Sequence, residues 1–183
     1  MPPATSRHEA FAVCTPGLES ALDAELRGLG IGGVVHHGGV SLRLSTRQLY
    51  EVNLWSRVAS RILVRVARFD ARTFVDLERA ASRIEWRTWL ASGVRPVFRV
   101  TSRSSRLYHT GAIAERLLAI AQRAVSGPAD GAGPEQLFVV RVHRDGFTIS
   151  VDSSGEVLHR RGWRLATAKA PLRETLAAAM LLV

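Results

Sequence analysis

The sequence predicts an α+β fold built as two successive units. Stretches with a two-residue apolar period alternate with stretches of helical period, and two pairs of strand candidates are joined by glycine-containing turns. With 183 residues, 46% of them hydrophobic, the chain can bury a real core without disulfides or metal.

Residues 1–9 read as a polar leader, and 11–15 as a short apolar strand stopped by Pro16-Gly17. Leu18, Leu22, Leu26 and Leu29 then recur on one face of a helix that Gly28 and Gly30 close. Val34-Val35 and the alternating residues 37–44 read as strands around Gly38-Gly39, and Ser45-Thr46 caps the next helix. Leu49, Val52 and Trp55 mark that helix as packed, and 62–69 returns to a strand pattern with its arginines facing outward.

The second unit starts near Asp70. Residues 73–84 and 86–90 read as consecutive helices, 97–101 as a strand, and 109–125 as the strongest helix, with Ile113, Leu117, Ile120, Ala121 and Ala124 on one face. The Gly/Pro/Ala-rich residues 126–135 form a loop, and 137–142 and 147–151 make a hairpin whose Asp145-Gly146 favours positive φ. The chain closes on a helix over 171–183 that is apolar almost all round, with Pro171 at its start. Such a helix needs a partner surface, so the chain reads as the front of a longer protein.

Net charge is the first functional clue. The 25 basic residues against 16 acidic ones give +9, with a sequence pI of about 11.3. Twenty-four of the 25 are Arg, partly a composition bias, yet Arg grips phosphate bidentately and stacks on bases, so an anionic partner and nucleic acid in particular are expected. A single cysteine, Cys14, excludes an internal disulfide, a zinc ribbon and an iron–sulfur site, and fits a reducing, cytoplasmic setting. It reads as a small core residue. No run of signal-peptide or membrane-spanning length occurs.

Catalytic patterns are weak. There is no Gly-x-Ser-x-Gly elbow, no phosphate loop, and His36-His37 sit on opposite faces of a strand, which leaves no metal site. Three basic groups remain: Arg57, Arg61, Arg65 and Arg68; Arg99, Arg103 and Arg106 with Tyr108; and Arg160, Arg161 and Arg164. The middle group mixes cations, hydroxyls and an aromatic just before a helix N-terminus, where free N–H groups and the helix dipole favour phosphate. Trp55, Trp86 and Trp89 read as packing residues, and Trp163 stays open.

Four strings carry a family resemblance: Thr15-Pro16-Gly17-Leu18-Glu19; Asn53-Leu54-Trp55-Ser56-Arg57-Val58-Ala59-Ser60-Arg61; Asp152-Ser153-Ser154-Gly155 through Leu158-His159-Arg160-Arg161-Gly162-Trp163-Arg164; and Ala170-Pro171-Leu172-Arg173-Glu174-Thr175-Leu176-Ala177-Ala178-Ala179. In these the chain resembles the bacterial large-subunit ribosomal RNA guanine-N2 methyltransferases and related THUMP-containing methyltransferases, with Trp163 where the family commonly has Tyr.

The resemblance implies a ferredoxin-like domain over 10–69, a THUMP RNA-binding domain over 70–155 (about 46–153 by the family's own division), and over 156–183 a linker with the first helix of a methyltransferase domain. The family's cofactor loop and Asn-Pro-Pro-Tyr-like motif have no counterpart here. No catalytic centre and no cofactor are therefore expected in this chain, S-adenosylmethionine being expected in the missing domain. The implied partners are structured, ribosomal RNA and the protein's own downstream domain, with no membrane. Arg57, Arg61, Arg99, Arg103, Arg106, Tyr108, Arg160, Arg161 and Arg164 are the expected RNA contacts. The competing expectation is a freestanding RNA-binding or protein-interaction module without activity.

Overall fold

The computed structural model describes residues 7–125, 133–160 and 171–182. Two compact units emerge: Met1–Val64 together with Ser153–Val183, and Arg65–Asp152. The sequence-based boundaries fall at 69/70 and 155/156.

In the first unit the order is β1 (Arg7–Val13), α1 (Glu19–Gly28), β2 (Gly33–His36), β3 (Gly39–Ser45), α2 (Thr46–Trp55) and the start of β4 (Arg61–Asp70). The strands run β2-β3-β1-β4 with every pairing antiparallel, the ferredoxin-like arrangement. Leu22 and Leu26 of α1 are fully buried with Val40, Leu44, Val52 and Ile62, each large aliphatic side chain contributing about 1.5–3 kcal/mol. Ser45 caps α2 reciprocally: its Oγ accepts from Gln48 N at 3.2 Å, and its own N–H donates to Gln48 Oε1 at 3.0 Å. Gly39 is required where β3 starts, since its φ is +158° and a Cβ there would lie 2.0 Å from the Ala12 carbonyl oxygen.

A buried carboxylate fixes the α2–β4 connection. Glu25, only 9% exposed, accepts from Ser56 Oγ at 2.7 Å, Arg57 N at 2.9 Å and Val58 N at 3.2 Å. The segment after β7 is stitched to the same unit by Ser153 N to the Ile62 carbonyl (3.0 Å) and Ile62 N to Ser154 Oγ (2.9 Å). The last helix, α5 (Glu174–Leu182), buries Thr175 and Ala179.

In the second unit β4 continues into α3 (Phe74–Ala81), a 3₁₀ turn (Trp86–Thr88), β5 (Arg95–Arg103), α4 (Thr110–Ala124), β6 (Glu135–His143) and β7 (Gly146–Asp152). The strand order is β4-β7-β6-β5, with β5–β6 parallel across the α4 crossover and β6–β7 antiparallel. Alternation sorts the sheet's faces. Phe138, Val140 and Val142 of β6 and Phe147, Ile149 and Val151 of β7 are buried with Ile113, Leu117 and Ile120 of α4. The intervening residues face away from the helices.

Several expectations need correction. The second helix of 86–90 is a single 3₁₀ turn, because Trp86 is drawn into the core: its Nε1 donates to the Ala81 carbonyl at 3.0 Å and its ring meets Phe98 and Phe138 edge-on. Trp55 is 61% exposed rather than packed. A three-residue spacing slips about 60° per step around an α-helix, so the row from Leu49 through buried Val52 leaves the core by Trp55. The last helix starts at Glu174, leaving Pro171 outside it. In the β6–β7 hairpin the positive φ values fall on Arg144 (49°) and Asp145 (64°), with Gly146 already paired to His143. That is the two-residue type I′ pattern, displaced one residue from Asp145-Gly146.

Candidate nucleic-acid interface

One end of the second unit concentrates the chemistry. The three non-glycine residues with positive φ among the described ones are Ser104 (53°), Arg144 and Asp145. Left-handed backbone costs an L-residue about 1–2 kcal/mol, so it persists only where other contacts over-determine it. Those contacts are present. Arg144 N donates to the Arg103 carbonyl (3.3 Å), Asp145 N to Ser105 Oγ (3.1 Å), and Arg106 N to Asp145 Oδ1 (2.8 Å). Ser102 Oγ holds the Leu107 carbonyl at 2.7 Å, closing the 103–107 loop on itself.

The third strand of this network comes from the β4–α3 connection. Ala71 N donates to the Asp145 carbonyl (3.0 Å), and Arg72 Nε lies 3.5 Å from Asp145 Oδ2. Together Asp70, Ala71, Arg72, Asp76, Arg144 and Asp145 line a cavity of about 330 Å³. Asp76 caps α3 by accepting from Thr73 Oγ1 at 2.8 Å, and that hydrogen bond, with further backbone donors, lowers its pKa below the usual carboxylate range.

Of the residues singled out in the sequence, Arg99, Arg103, Arg106 and Tyr108 come together here, all exposed on β5 and its following loop. The Tyr108 ring lies 4.1 Å from that of His109, the N-cap residue of α4, whose side chain makes no cap bond to the first-turn N–H groups. Arg57 and Arg61 stand apart in the first unit and are engaged: Arg57 Nε sits 3.3 Å from Glu25 Oε1, and Arg61 Nη1 donates to the Gly155 carbonyl at 2.9 Å. Arg160 is exposed in the first unit, while Arg161, Arg164 and Trp163 lie outside the described residues. Arg72, Arg144 and Asp145 were not singled out as site residues; the Asp-Gly pair signalled a turn, and only the tertiary structure shows what that turn holds.

The single cysteine is held in its thiol form. Burial pushes the Cys14 thiol up to about 11, helped by the Glu19 charge, so it stays protonated at neutral pH. Among the described residues no group of three or more His, Cys, Asp or Glu is placed to hold a metal ion, and no helix is long and apolar enough to cross a membrane. The site is thus a rigid, mainly cationic ridge with one exposed aromatic, suited to holding an anion by shape and charge.

Comparison with known proteins agrees with the first unit. A family model described as the RlmL ferredoxin-like domain matches residues 9–63. The Ribosomal RNA large subunit methyltransferase K/L of Saccharophagus degradans is 32% identical over 189 residues, covering 97% of this chain and 25% of that protein. The structure of a predicted N6-adenine-specific DNA methylase from Listeria monocytogenes superposes with a TM-score of 0.85 at 28% identity, over 97% of this chain and 48% of that one. SMU.472 complexed with SAH superposes with a TM-score of 0.82 at 26% identity, over 97% of this chain and 49% of that one. The chain spans about a quarter of the length of that ribosomal RNA methyltransferase and about half of each of these solved chains. An α+β fold with a ferredoxin-like N-terminal unit follows, and nearly the whole chain is similar to part of proteins named as methyltransferases.

One expectation falls. The absence of a cofactor from this stretch is contradicted by SMU.472, whose structure was captured with SAH and matches nearly this entire chain. That expectation rested on the lack, in this sequence, of the family's glycine-rich cofactor loop and Asn-Pro-Pro-Tyr-like motif.

Proposed function

We propose that this chain is the substrate-recognition region of an S-adenosylmethionine-dependent RNA methyltransferase that acts on guanine N2 of large-subunit ribosomal RNA. In this reading the second unit is the THUMP domain and the segment from 156 onward leads into the methyltransferase domain. The observation that carries it is the braced loop of residues 103–107. It presents Arg103, Arg106 and Tyr108 beside Arg144 on a backbone too constrained to collapse, which is how phosphates and 2′-hydroxyls of a folded RNA are gripped by shape. The relatives' greater length supports a partner domain, and α5 offers it an apolar surface, with Met180 72% and Leu181 88% exposed.

The same surface bears on the cofactor. Met180 and Leu181 at the end of α5 are exposed and apolar, as a surface against the face of an adenine would be, whereas the cavity at Arg72 and Asp145 is lined by three carboxylates and does not suit it. The end of α5 therefore suits one wall of an S-adenosyl site, and the group when bound supplies the methyl donor. This chain's own residues hold the RNA.

The test is charge reversal at Arg103 and Arg106 in the whole chain, read by binding of a labelled RNA hairpin with a single-stranded 3′ tail across a salt series. Loss of two phosphate contacts lowers the slope of log affinity against log salt by about two. Binding and slope like the unaltered chain would sink the site.

A further inference from the structure

The face of the second unit's sheet that turns away from α3 and α4 is the least expected surface in the molecule. Parallel pairing sets Arg99 beside Val139, Thr101 beside Arg141, and Arg103 beside His143. Paired residues in a parallel ladder point to the same side, and the neighbours Phe98, Phe138, Val140 and Val142 point into the core or partly into it. Arg99, Arg103, Arg141 and His143 are exposed accordingly. Three successive same-face rungs, about 6.6 Å apart along the strands, thus each carry an arginine, and since Arg141 lies on the neighbouring strand the row zigzags with about 8 Å between successive Cα atoms, a spacing of one to two phosphates along a nucleic-acid strand.

The charges on this face are not consumed within the protein. Several arginines elsewhere are paired with carboxylates: Arg27 with Asp23, Arg47 with Glu51, Arg57 with Glu25, Arg95 with Glu135 and Arg116 with Glu78. Among the described residues no ion pair or side-chain hydrogen bond engages Arg99, Arg103 or Arg141. Strand β5 is outermost, so the row is approachable from the sheet's edge as well as from its face.

We propose that this open face is a track for an RNA phosphate backbone, with Arg99, Arg141 and Arg103 as successive phosphate ligands and His143 beside the last. The proposal rests on the RNA-binding reading above and extends it: the strand runs from the braced 103–107 loop along β5 and β6, away from the carboxylate-lined cavity. Paired strands hold the three arginine Cα positions at fixed spacing, so little backbone order remains to be established on binding, and the neighbouring Val97 and Val139 are half-buried and uncharged.

Arg99→Glu and Arg141→Glu, made separately in the whole chain, test it with the same hairpin RNA bearing a single-stranded 3′ tail. Each is expected to weaken binding about tenfold and to lower the salt slope by about one, with Arg141→Lys close to the unaltered chain. Unfolding midpoints confirm that each variant folds; should a charge reversal fail to fold, the Arg99→Ala and Arg141→Ala pair replaces it. If both reversals bind normally while Arg103→Glu with Arg106→Glu binds weakly, the track is overturned and the loop site stands. If all variants and the unaltered chain fail to bind RNA at low salt, both readings fall.

Discussion

Replacing Asp145 by Gly separates loop bracing from charge. Gly accepts the positive φ of 64° without strain, so the turn itself is preserved and only the carboxylate is lost. That carboxylate accepts from Arg106 N at 2.8 Å, a charge-assisted bond contributing about 1.5–3 kcal/mol. Its pairing with Arg72, 3.5 Å away and 67% exposed, adds no more than about 1 kcal/mol. Relief of the left-handed conformation returns about 1 kcal/mol. The net cost is about 1.5 kcal/mol, confined to the 103–107 loop, which raises its open population roughly tenfold. Trypsin cleavage after Arg103 and Arg106 reports that population directly when reclosing is fast. Asp145→Asn keeps a carbonyl oxygen for Arg106 N and tolerates the same φ, so its cleavage stays near that of the unaltered chain. RNA binding divides the two further: Asn removes a negative charge from an ordered site and tightens binding, while Gly removes the same charge and weakens it. Equal cleavage in all three proteins, or Gly binding RNA as tightly as Asn, would refute bracing as the function of Asp145.

Two predictions concern the first unit. Glu25→Ala removes the 2.7 Å acceptor of Ser56 Oγ and strands the buried N–H of Val58, and is expected to cost about 3–5 kcal/mol in urea unfolding, with Glu25→Gln losing about half as much; a loss under about 1 kcal/mol would show that the α2–β4 connection does not depend on this carboxylate. Glu19 is held below the usual carboxylate range, chiefly by the Gly38 N–H at 2.8 Å and then by further backbone donors. Its depressed pKa stabilises the fold at pH values above the unfolded value, and that contribution vanishes as pH falls through the folded one. The stability gap between the unaltered chain and Glu19→Gln should therefore be full at neutral pH and close in acid; a gap independent of pH would contradict the assignment.

Local periodicity made most of the elements legible, because each depends on residues close in sequence: the Leu22 and Leu26 stripe, the Ser45 cap, the alternation of β6 and β7. What it could not reach was decided by tertiary contact. Trp86 has helical neighbours, yet the Phe98 and Phe138 rings and the Ala81 carbonyl pull it inward and stop the helix after one turn. Trp55 has core-like spacing, yet the 60° slip per three residues turns it to solvent.

For the site, the difficulty is arithmetic. A chain with 24 arginines offers dozens of plausible basic groups, and a composition bias makes none of them informative. What distinguishes a ligand-facing arginine is whether a carboxylate already satisfies it, and that depends on pairs distant in sequence such as Glu25 with Arg57 and Glu78 with Arg116. Arg57 and Arg61 looked equivalent to Arg99 and Arg103 on spacing alone, but folding gives the first pair internal partners and leaves the second pair exposed on one strand. Paired surface arginines add little to an anion's attraction, since the neighbouring negative charge screens them at the range where binding is decided. The attractive field of this protein is therefore set less by its +9 than by where the 16 carboxylates fall, and among the described residues the β5–β6 face and the 103–107 loop hold Arg99, Arg141, Arg103 and Arg106 with no carboxylate paired to them.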